Sequence, residues 1–313
     1  MNLDLPDDVV ELARVCASAF DKLGGVDVSR RAAADPTLRR TEIQPILARL
    51  GVTEIDAMSN DATQMLAAAE VCRVAGTVAL PYPVAAMLLA GPTGHPVVVV
   101  NQVDPRVDHG DLADEWLTVD GAGNASVAHP ASAPSGTRLG TFVTAVAFDG
   151  PHHAAPHGLA ERALTLTSIT ALGVAQQALA LSVAHTRARE QFGKPLASFQ
   201  SVRFRLAHAS TLLAGLTELA HFTVIRIADD KPGSLVDALG LRMHTITVVR
   251  EVMRTAHQFH GALGFCTEHD LSMLTRAIQP LTRLPFDLSA TTDLMLAAVD
   301  RYGFEGVFPV SAA

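Results

Sequence analysis

The stretch that decides the fold is Arg189-Glu-Gln-Phe-Gly-Lys-Pro-Leu-Ala-Ser-Phe-Gln200, in the second half of the chain. A periodic apolar segment ends near its first residue, and another begins near its last residues. The Gly-Lys-Pro sequence between them is a turn signal, because proline cannot continue a helix and glycine tolerates positive φ. Ser198 is placed to cap the helix that follows. The stretch predicts a helical hairpin, which by itself is compatible with an ordinary solvated arginine.

Long helices are predicted around this turn. Apolar residues step by three and four along the helix after it, as in a bundle helix with one buried seam: Phe199, Val202, Leu206, Ala209, Leu213, Leu216, Ala220, Val224 and Ile227. Four helices are predicted in all: about 158 to 188, Ser198 to about Ala228, Ser234 to about His260, and about 287 to 301. Long antiparallel helices joined by short loops predict a C-terminal four-helix bundle over residues 156–313.

The rest of the chain divides into two regions. Residues 1–91 contain three segments with helical apolar spacing, one of them capped by Asn60-Asp61, and predict an N-terminal helical domain. Residues 92–155 are rich in Gly, Pro, Asp and Asn and predict a small antiparallel sheet with Trp116 in its core. Its strands are predicted at Pro96 to Asn101, Glu115 to Val119, Ala125 to Ala128 and Arg138 to Phe148. The fold class is therefore mainly α with a small, reduced β domain.

Composition narrows the class of function. The formal charge is 24 − 32 = −8, which disfavours binding to nucleic acid. Three widely spaced cysteines suggest neither a disulfide framework nor a metal site. The acidic N-terminus lacks the features of a secretory signal, and no apolar run reaches about 18 residues. A cytoplasmic protein that does not enter a membrane is expected.

A second informative stretch is Ala256-His-Gln258-Phe-His-Gly261-Ala-Leu-Gly264-Phe265-Cys-Thr-Glu268. Taken alone it is a helix end with a glycine stop. The two stretches together resemble signatures of the acyl-CoA dehydrogenase family, RxQFGxPxxxFQ and AxQxxGGxGYxxE. In the second, Ala262 replaces a glycine and Phe265 replaces the tyrosine. The first is matched at Arg189, Gln191, Phe192, Gly193, Pro195, Phe199 and Gln200, and the second at Ala256, Gln258, Gly261, Gly264 and Glu268.

The resemblance covers the chain in outline, with its specific motifs between about 171 and 276, and it implies FAD as cofactor. In this family the two segments reach across a dimer interface to the FAD of the neighbouring subunit. Arg189 would pair bidentately with the pyrophosphate, and Phe192 would place its ring against the cofactor. Gln200 and Gln258 suit adenine and ribose edges, and Gly261 would let the backbone approach the pyrophosphate closely.

The sequence departs from the family where the chemistry requires a carboxylate. The middle region lacks segments like TEPxxGSD and KxWI(T/S), which normally surround the flavin ring and the acyl-CoA. Aligned through Arg276, Pro285 stands where the usual glutamate base belongs. The alternative base position, on the first bundle helix, is occupied by Ala163. Glu161 lies two residues earlier, about 200° away round the helix. No catalytic residue is therefore expected in this chain.

This combination resembles the shortened β-type subunit of α2β2 heterotetrameric acyl-CoA dehydrogenases of actinobacterial steroid and cholesterol catabolism. The partner would be a larger subunit that holds the flavin pocket and the base. The substrate would be an acyl-CoA, and the usual electron acceptor is an electron-transferring flavoprotein. Two alternatives stay open: a self-sufficient homo-oligomer with a displaced base at Asp287, Glu268 or Glu161, and a non-catalytic helical scaffold.

Several histidines have no assigned role. His152, His153 and His157 cluster near a domain boundary, but no cysteine or carboxylate pair accompanies them, so no metal site is predicted. His257 and His260 flank the glycine segment and either contact the cofactor or lie on the bundle surface.

Overall fold

Helices form the first part of the chain. The structure is a computed structural model that describes residues 4–91, 94–134 and 138–304. The helices before the sheet are α1 (Asp7–Lys22), α2 (Asp27–Ala34), α3 (Gln44–Arg49), α4 (Ala62–Thr77) and α5 (Val84–Leu88). A single π-helical stretch, Arg39–Ile43, leads into α3. The Asp61 carboxylate accepts a hydrogen bond from the Thr63 amide at 2.8 Å, which confirms the predicted cap of α4.

The middle of the chain is a five-stranded sheet in the order β1-β3-β4-β5-β2. Trp116 is fully buried in it, as predicted. The prediction of a purely antiparallel sheet is wrong, because β1 pairs with β3 in parallel. The connection from Val100 to Glu115 is longer than the dozen or so residues that a parallel crossover needs. The strands are β1 (Val97–Val99), β2 (Arg106–Val107), β3 (Trp116–Val119), β4 (Asn124–Pro130) and β5 (Thr144–Ala154).

The last strand lies further along the chain than its predicted range of Arg138 to Phe148. Asp149 still pairs with Val127, the register then shifts, and pairing resumes with His153 opposite Ala125 and Ala154 opposite Asn124. On the outer side, β2 pairs only with the first two residues of β5. Proline is tolerated on such an outer edge, since its missing amide leaves no partner unsatisfied.

Helices return after the sheet and build the bundle. The prediction of a helix from Ser234 to His260 is confirmed, and the others agree to within two residues. One helix, Asp270–Arg283, was not predicted; it packs on the first bundle helix. Pro280 lies inside it and obscured it in the sequence. The helices are α6 (Leu159–Ala188), α7 (Gln200–Ala228), α8 (Ser234–His260), α9 (Asp270–Arg283) and α10 (Leu288–Tyr302).

The core is centred on α4, α6 and α8, which pack closely side by side. By length and hydropathy α6 and α7 could each cross a membrane, so the expectation that no apolar segment is long enough is corrected. Of the apolar window in each helix, 56% is buried inside the structure, as is usual for core helices of a bundle. The division into domains at residues 91 and 155 stays a prediction.

Candidate functional site

A tight hairpin joins α6 to α7. Its two short strands are β6 (Glu190–Gln191) and β7 (Lys194–Pro195). The two residues between them, Phe192 and Gly193, have φ values of 54° and 74°. Positive φ at both central residues is the geometry of the tightest hairpin turns, and it is uncommon for a phenylalanine. The turn leaves the Phe192 side chain 88% exposed, so the ring is directed away from its own bundle.

The residues around this turn hold it in place. The Arg189 amide donates to the His185 carbonyl at 2.8 Å and ends α6, while its carbonyl accepts from the Leu196 amide at 2.8 Å. The Arg189 side chain lies exposed. The prediction that Ser198 caps α7 is wrong: its hydroxyl donates backwards to the Pro195 carbonyl at 2.7 Å. A short 3-10 turn, Leu196–Ser198, precedes α7 and moves the start of the helix to Gln200.

The second matched segment lies at the end of α8. Gln258 is exposed on the last turn of the helix. Gly261 has φ 58° and ψ −138°, a conformation that L-residues with side chains rarely adopt. A Cβ at Gly261 would meet no atom within 4 Å, so the backbone there is open to a ligand. Gly264 has a different role, because a Cβ there would lie 3.0 Å from Leu271 Cδ2.

The structure brings the five sequence-predicted residues to one end of the bundle. Helices α6 and α8 end there, and α7 begins there. The His185 ring of α6 stacks on the His260 ring of α8 at 4.4 Å between centroids, which joins the two matched segments. All five side chains or backbones are exposed and point outward from this chain: Arg189, Phe192, Gln200, Gln258 and Gly261. Their exposed cation, ring, amides and open backbone fit the anionic and aromatic parts of FAD, approached from outside the chain.

A cavity of about 170 Å³ lies between α4, α5, the sheet, α6 and α9. Ala163 and Pro285 both line it, so the two positions where a base was sought face the same apolar space. Arg106, His109 and Arg276 bring charge or polarity to its wall. The three carboxylates considered as a displaced base do not line this cavity: Glu161, Glu268 and Asp287.

The candidate carboxylates are engaged elsewhere or exposed. Asp287 Oδ1 accepts from the Ala290 amide at 3.0 Å and caps α10. Glu268 is exposed, and Glu161 is half-buried in the first turn of α6. Arg242 holds the segment that contains Pro285. Its guanidinium donates to the carbonyls of Leu281, Leu284 and Phe286 at 3.2, 2.6 and 2.7 Å.

Sequence reasoning missed one polar pair at the cavity, Asp108 and His109. Among the lining residues in the described part of the chain, Asp108 is the single carboxylate. Its Oδ1 accepts from the His109 amide at 3.1 Å, and its Oδ2 lies 3.7 Å from His109 Nε2. Burial lowers the pKa of His109, and the ring stacks on Phe142 at 5.0 Å. An Asp-His dipeptide in a loop gave no motif by which to recognise it.

The histidines near the sheet do not converge. His152 and His153 are neighbours on β5, where the pairing with β4 is irregular, and both are exposed. His152 contacts the Ser126 hydroxyl, whereas His157 lies 3.5 Å from Asp230. Within residues 4–91, 94–134 and 138–304 no group of three or more His, Cys, Asp or Glu side chains could hold a metal ion.

Comparison with known proteins gives these observations a context. Residues 158–284 match the family described as "Acyl-CoA dehydrogenase, C-terminal domain". Acyl-CoA dehydrogenase IpdE2 of Mycolicibacterium smegmatis is 31% identical over 116 residues, which are 37% of this chain and 35% of that protein. The chain thus matches about a third of the length of this curated relative.

Two solved structures show the same fold over nearly the whole chain. The ChsE4-ChsE5 complex from Mycobacterium tuberculosis superposes with a TM-score of 0.74 at 17% identity, over 96% of this chain and 98% of that one. A variant of the Tcur3481-Tcur3483 steroid ACAD gives a TM-score of 0.73 at 17% identity, over 94% and 98%. These likenesses establish the acyl-CoA dehydrogenase fold, with its helical ends and small sheet.

Proposed function

We propose that this chain, whose residues 158–284 match the C-terminal domain of acyl-CoA dehydrogenases, is the FAD-sharing subunit of a hetero-oligomeric acyl-CoA dehydrogenase. Members of the family are FAD-dependent oxidoreductases. The chain contributes Arg189, Phe192, Gln200, Gln258 and Gly261 to a flavin held mainly by a larger partner subunit. The partner supplies the carboxylate that removes a proton from the acyl thioester. An α2β2 assembly in the cytoplasm is the proposed form.

One observation supports this proposal above the others. The residues that match the cofactor segments point out of the chain, whereas the two base positions, Ala163 and Pro285, face an apolar cavity. A self-sufficient enzyme needs a carboxylate beside the α-carbon of its substrate. Asp108, the carboxylate that lines the cavity in the described part of the chain, stands at neither of the two base positions. A subunit that binds the flavin of a neighbouring subunit needs only the exposed residues that match the cofactor segments.

The bound flavin would supply the hydride acceptor for α,β-dehydrogenation. Arg189 can form two parallel hydrogen bonds with a phosphate and so set the orientation of the cofactor. Gly261 brings the backbone at the end of α8 close to the pyrophosphate, because nothing occupies the place of a side chain. Phe192 covers an apolar edge and excludes water.

The proposed substrate is a bulky acyl-CoA derived from a steroid. The support is the name of one structural relative, a steroid ACAD. An electron-transferring flavoprotein is the proposed electron acceptor. The discriminating assay is oxidation of steroid-side-chain CoA thioesters against straight-chain acyl-CoA by the assembled complex. A preference for straight-chain acyl-CoA would contradict the steroid assignment but not the proposed role as an FAD-sharing subunit.

The first experiment is co-expression of this chain with a full-length acyl-CoA dehydrogenase subunit, followed by absorption spectroscopy. We expect a colourless lone chain and a yellow complex with about one FAD per pair of unlike subunits. Arg189→Ala should lower the flavin content of the complex severalfold, since the phosphate loses its bidentate partner. Arg14→Ala is the matched control, because Arg14 is an exposed α1 arginine that pairs with Glu11 of the same helix.

Two outcomes would overturn the proposal. Unchanged flavin content in the Arg189→Ala complex would favour the scaffold hypothesis. A yellow lone chain that oxidises acyl-CoA would favour a self-sufficient enzyme. In that case Asp108→Asn should abolish turnover, because Asp108 is the carboxylate at the cavity of the described chain.

A further inference from the structure

Three histidines from three elements meet beneath the exposed residues at the end of the bundle. His185 lies in the last turn of α6, His260 is the last residue of α8, and His269 directly precedes α9. The centroids of the first two rings are 4.4 Å apart with an interplanar angle of 29°. The rings of His260 and His269 are 4.8 Å apart and meet edge to face. We refer to these three residues as the histidine cluster.

The histidine cluster is directly connected to both matched segments. The His185 carbonyl accepts the amide hydrogen of Arg189, one helical turn later. His260 immediately precedes Gly261, whose backbone is open. A change of charge in the cluster is therefore felt at the two places where a pyrophosphate would bind.

The surroundings of the cluster contain cations and neutral rings. Arg189, directly after α6, and His257 on α8 act on its members electrostatically. Among the ion pairs of the described residues, none joins a carboxylate to a cluster histidine. The nearest acidic neighbours in the sequence are otherwise placed: Asp270 is held by Arg30 at 2.6 Å, and Glu268 is exposed.

Hydrogen bonds identify where a proton can be added. His260 Nδ1 lies 2.8 Å from the Ala256 carbonyl, which can only accept, so this nitrogen bears hydrogen and Nε2 is the free base. His269 Nδ1 accepts from the Leu271 amide at 3.1 Å and would lose that cap on protonation. The backbone of Phe259 acts on His185 in the direction that raises its pKa and so favours the protonated ring. The proton-accepting members are therefore His185 and His260.

We propose that the histidine cluster takes up a proton when the pyrophosphate of the shared FAD binds at Arg189 and Gly261, so that the chain holds the cofactor more tightly as pH falls. The inference rests on the proposed function. An anion beside an imidazole favours the charged form, and among the described residues no ion pair with a carboxylate already balances that charge. The incoming phosphate takes this role.

The direction of the pH effect follows from the histidine pKa values in the cofactor-free and the cofactor-bound chain. Without cofactor, burial lowers the pKa of His185 and of His260, and the neighbouring positive or imidazole groups lower it further. A bound anion raises the pKa again. Between the two pKa values, binding of FAD strengthens by about tenfold for each pH unit of acidification if one proton is taken up. Below the lower pKa the dependence ends, because the proton is already bound.

The test uses the assembled complex after removal of its flavin. FAD is titrated by calorimetry at several pH values between about 6 and 8, the range in which histidine changes charge. Each titration is made in two buffers of different ionisation enthalpy, which measures the protons taken up. We expect uptake of about one proton and a Kd that falls about tenfold per pH unit. The doubly substituted H185Q/H260Q complex should bind FAD without proton uptake.

Controls separate this proposal from loss of structure. The single variant His185→Gln changes a half-buried ring. If the double variant fails to fold, proton uptake and the pH dependence of the Kd are measured on this single variant instead. His153→Gln, at an exposed position on β5, should retain the full pH dependence. Binding of FAD with no proton uptake and a constant Kd would overturn the inference and leave the proposed function intact. A complex that binds no FAD at any pH would overturn both.

Discussion

Among single residues, Arg242 has the strongest structural constraint. It is almost fully buried, and burial lowers its pKa to about 10. Its guanidinium donates to the carbonyl of Leu281 in the last turn of α9 and to those of Leu284 and Phe286 between α9 and α10. Arg242→Met should leave those carbonyls without donors and lower the free energy of unfolding by about 2–4 kcal/mol. Urea denaturation measures this. Arg254→Met, at an exposed site paired with Glu251, should change it by less than about 1 kcal/mol.

Glu70 gives a residue-level prediction that depends on pH. Its buried carboxylate lies 2.6 Å from Arg73 and 3.7 Å from His221. Burial raises its pKa, but His221 and Arg73 lower it more, so the pKa lies below the ordinary 4.5. A carboxyl of lowered pKa stabilises the fold above its unfolded pKa, and that stability is lost as pH falls through the folded pKa.

Glu70→Gln should therefore lower the free energy of unfolding at pH 7 by about 1–3 kcal/mol. The difference from the unsubstituted chain should shrink as the pH falls below 4.5. Denaturation at pH 7, 5 and 4 tests this directly. A difference that stays constant over that range would show that hydrogen-bond geometry, and not the charge of Glu70, is responsible.

At the level of helices, the crossing of α4 and α6 depends on two glycines. A Cβ on Gly173 would lie 1.9 Å from the Arg73 carbonyl oxygen, and one on Gly76 would lie 2.1 Å from that of Thr170. Neither contact can be relieved by a side-chain movement, since both involve backbone. Gly173→Ala should cost about 3 kcal/mol or more, or prevent folding. Gly215→Ala, at an open site on α7, should instead stabilise by about 0.5–1 kcal/mol.

The same elements show what the sequence could predict. The limits of α8 follow from its apolar period and the glycines that flank it. The helix α9 was missed because Pro280 indicates a break, although it is accommodated one turn from the helix end. Ser198 was incorrectly predicted to cap α7 and to begin it. Serine is common both in 3-10 turns and at the N-terminus of α-helices, so its presence does not distinguish the two. Local patterns predict the long helices and fail at their short connections.

For the candidate site, prediction from the sequence is limited by contacts between residues that are distant in the chain. The two motifs identified Arg189, Phe192 and Gly261 but not their common location, which depends on α6 and α8 running in the same direction. The stacked pair His185 and His260 is 75 residues apart in sequence numbering and has no local signal. The cavity at Ala163 and Pro285 is likewise produced only when α6 packs against the 284–286 segment. Such groupings are products of the whole fold.

For the whole molecule, large apolar side chains are exposed at the end of the bundle where α6 and α8 end. Phe192, Phe204 and Phe265 are 88%, 64% and 70% exposed. Phe204 lies in the first turns of α7, and Phe265 follows α8, so all three belong to the end that also presents Arg189. Large aromatic residues exposed together at one end of a fold are typical of a surface that another protein chain covers.

Phe204→Asp and Phe265→Asp should therefore weaken assembly with the larger subunit by at least about tenfold each, since buried aromatic residues dominate interface energies. Size-exclusion chromatography and a pull-down of the co-expressed partner measure this. Val103→Asp is the matched control, because Val103 is 94% exposed beside the sheet. Intact assembly of both phenylalanine variants would place the partner on another face. In that case Arg189 and Gly261 could no longer be assigned to a shared flavin, because the residues beside them would face solvent.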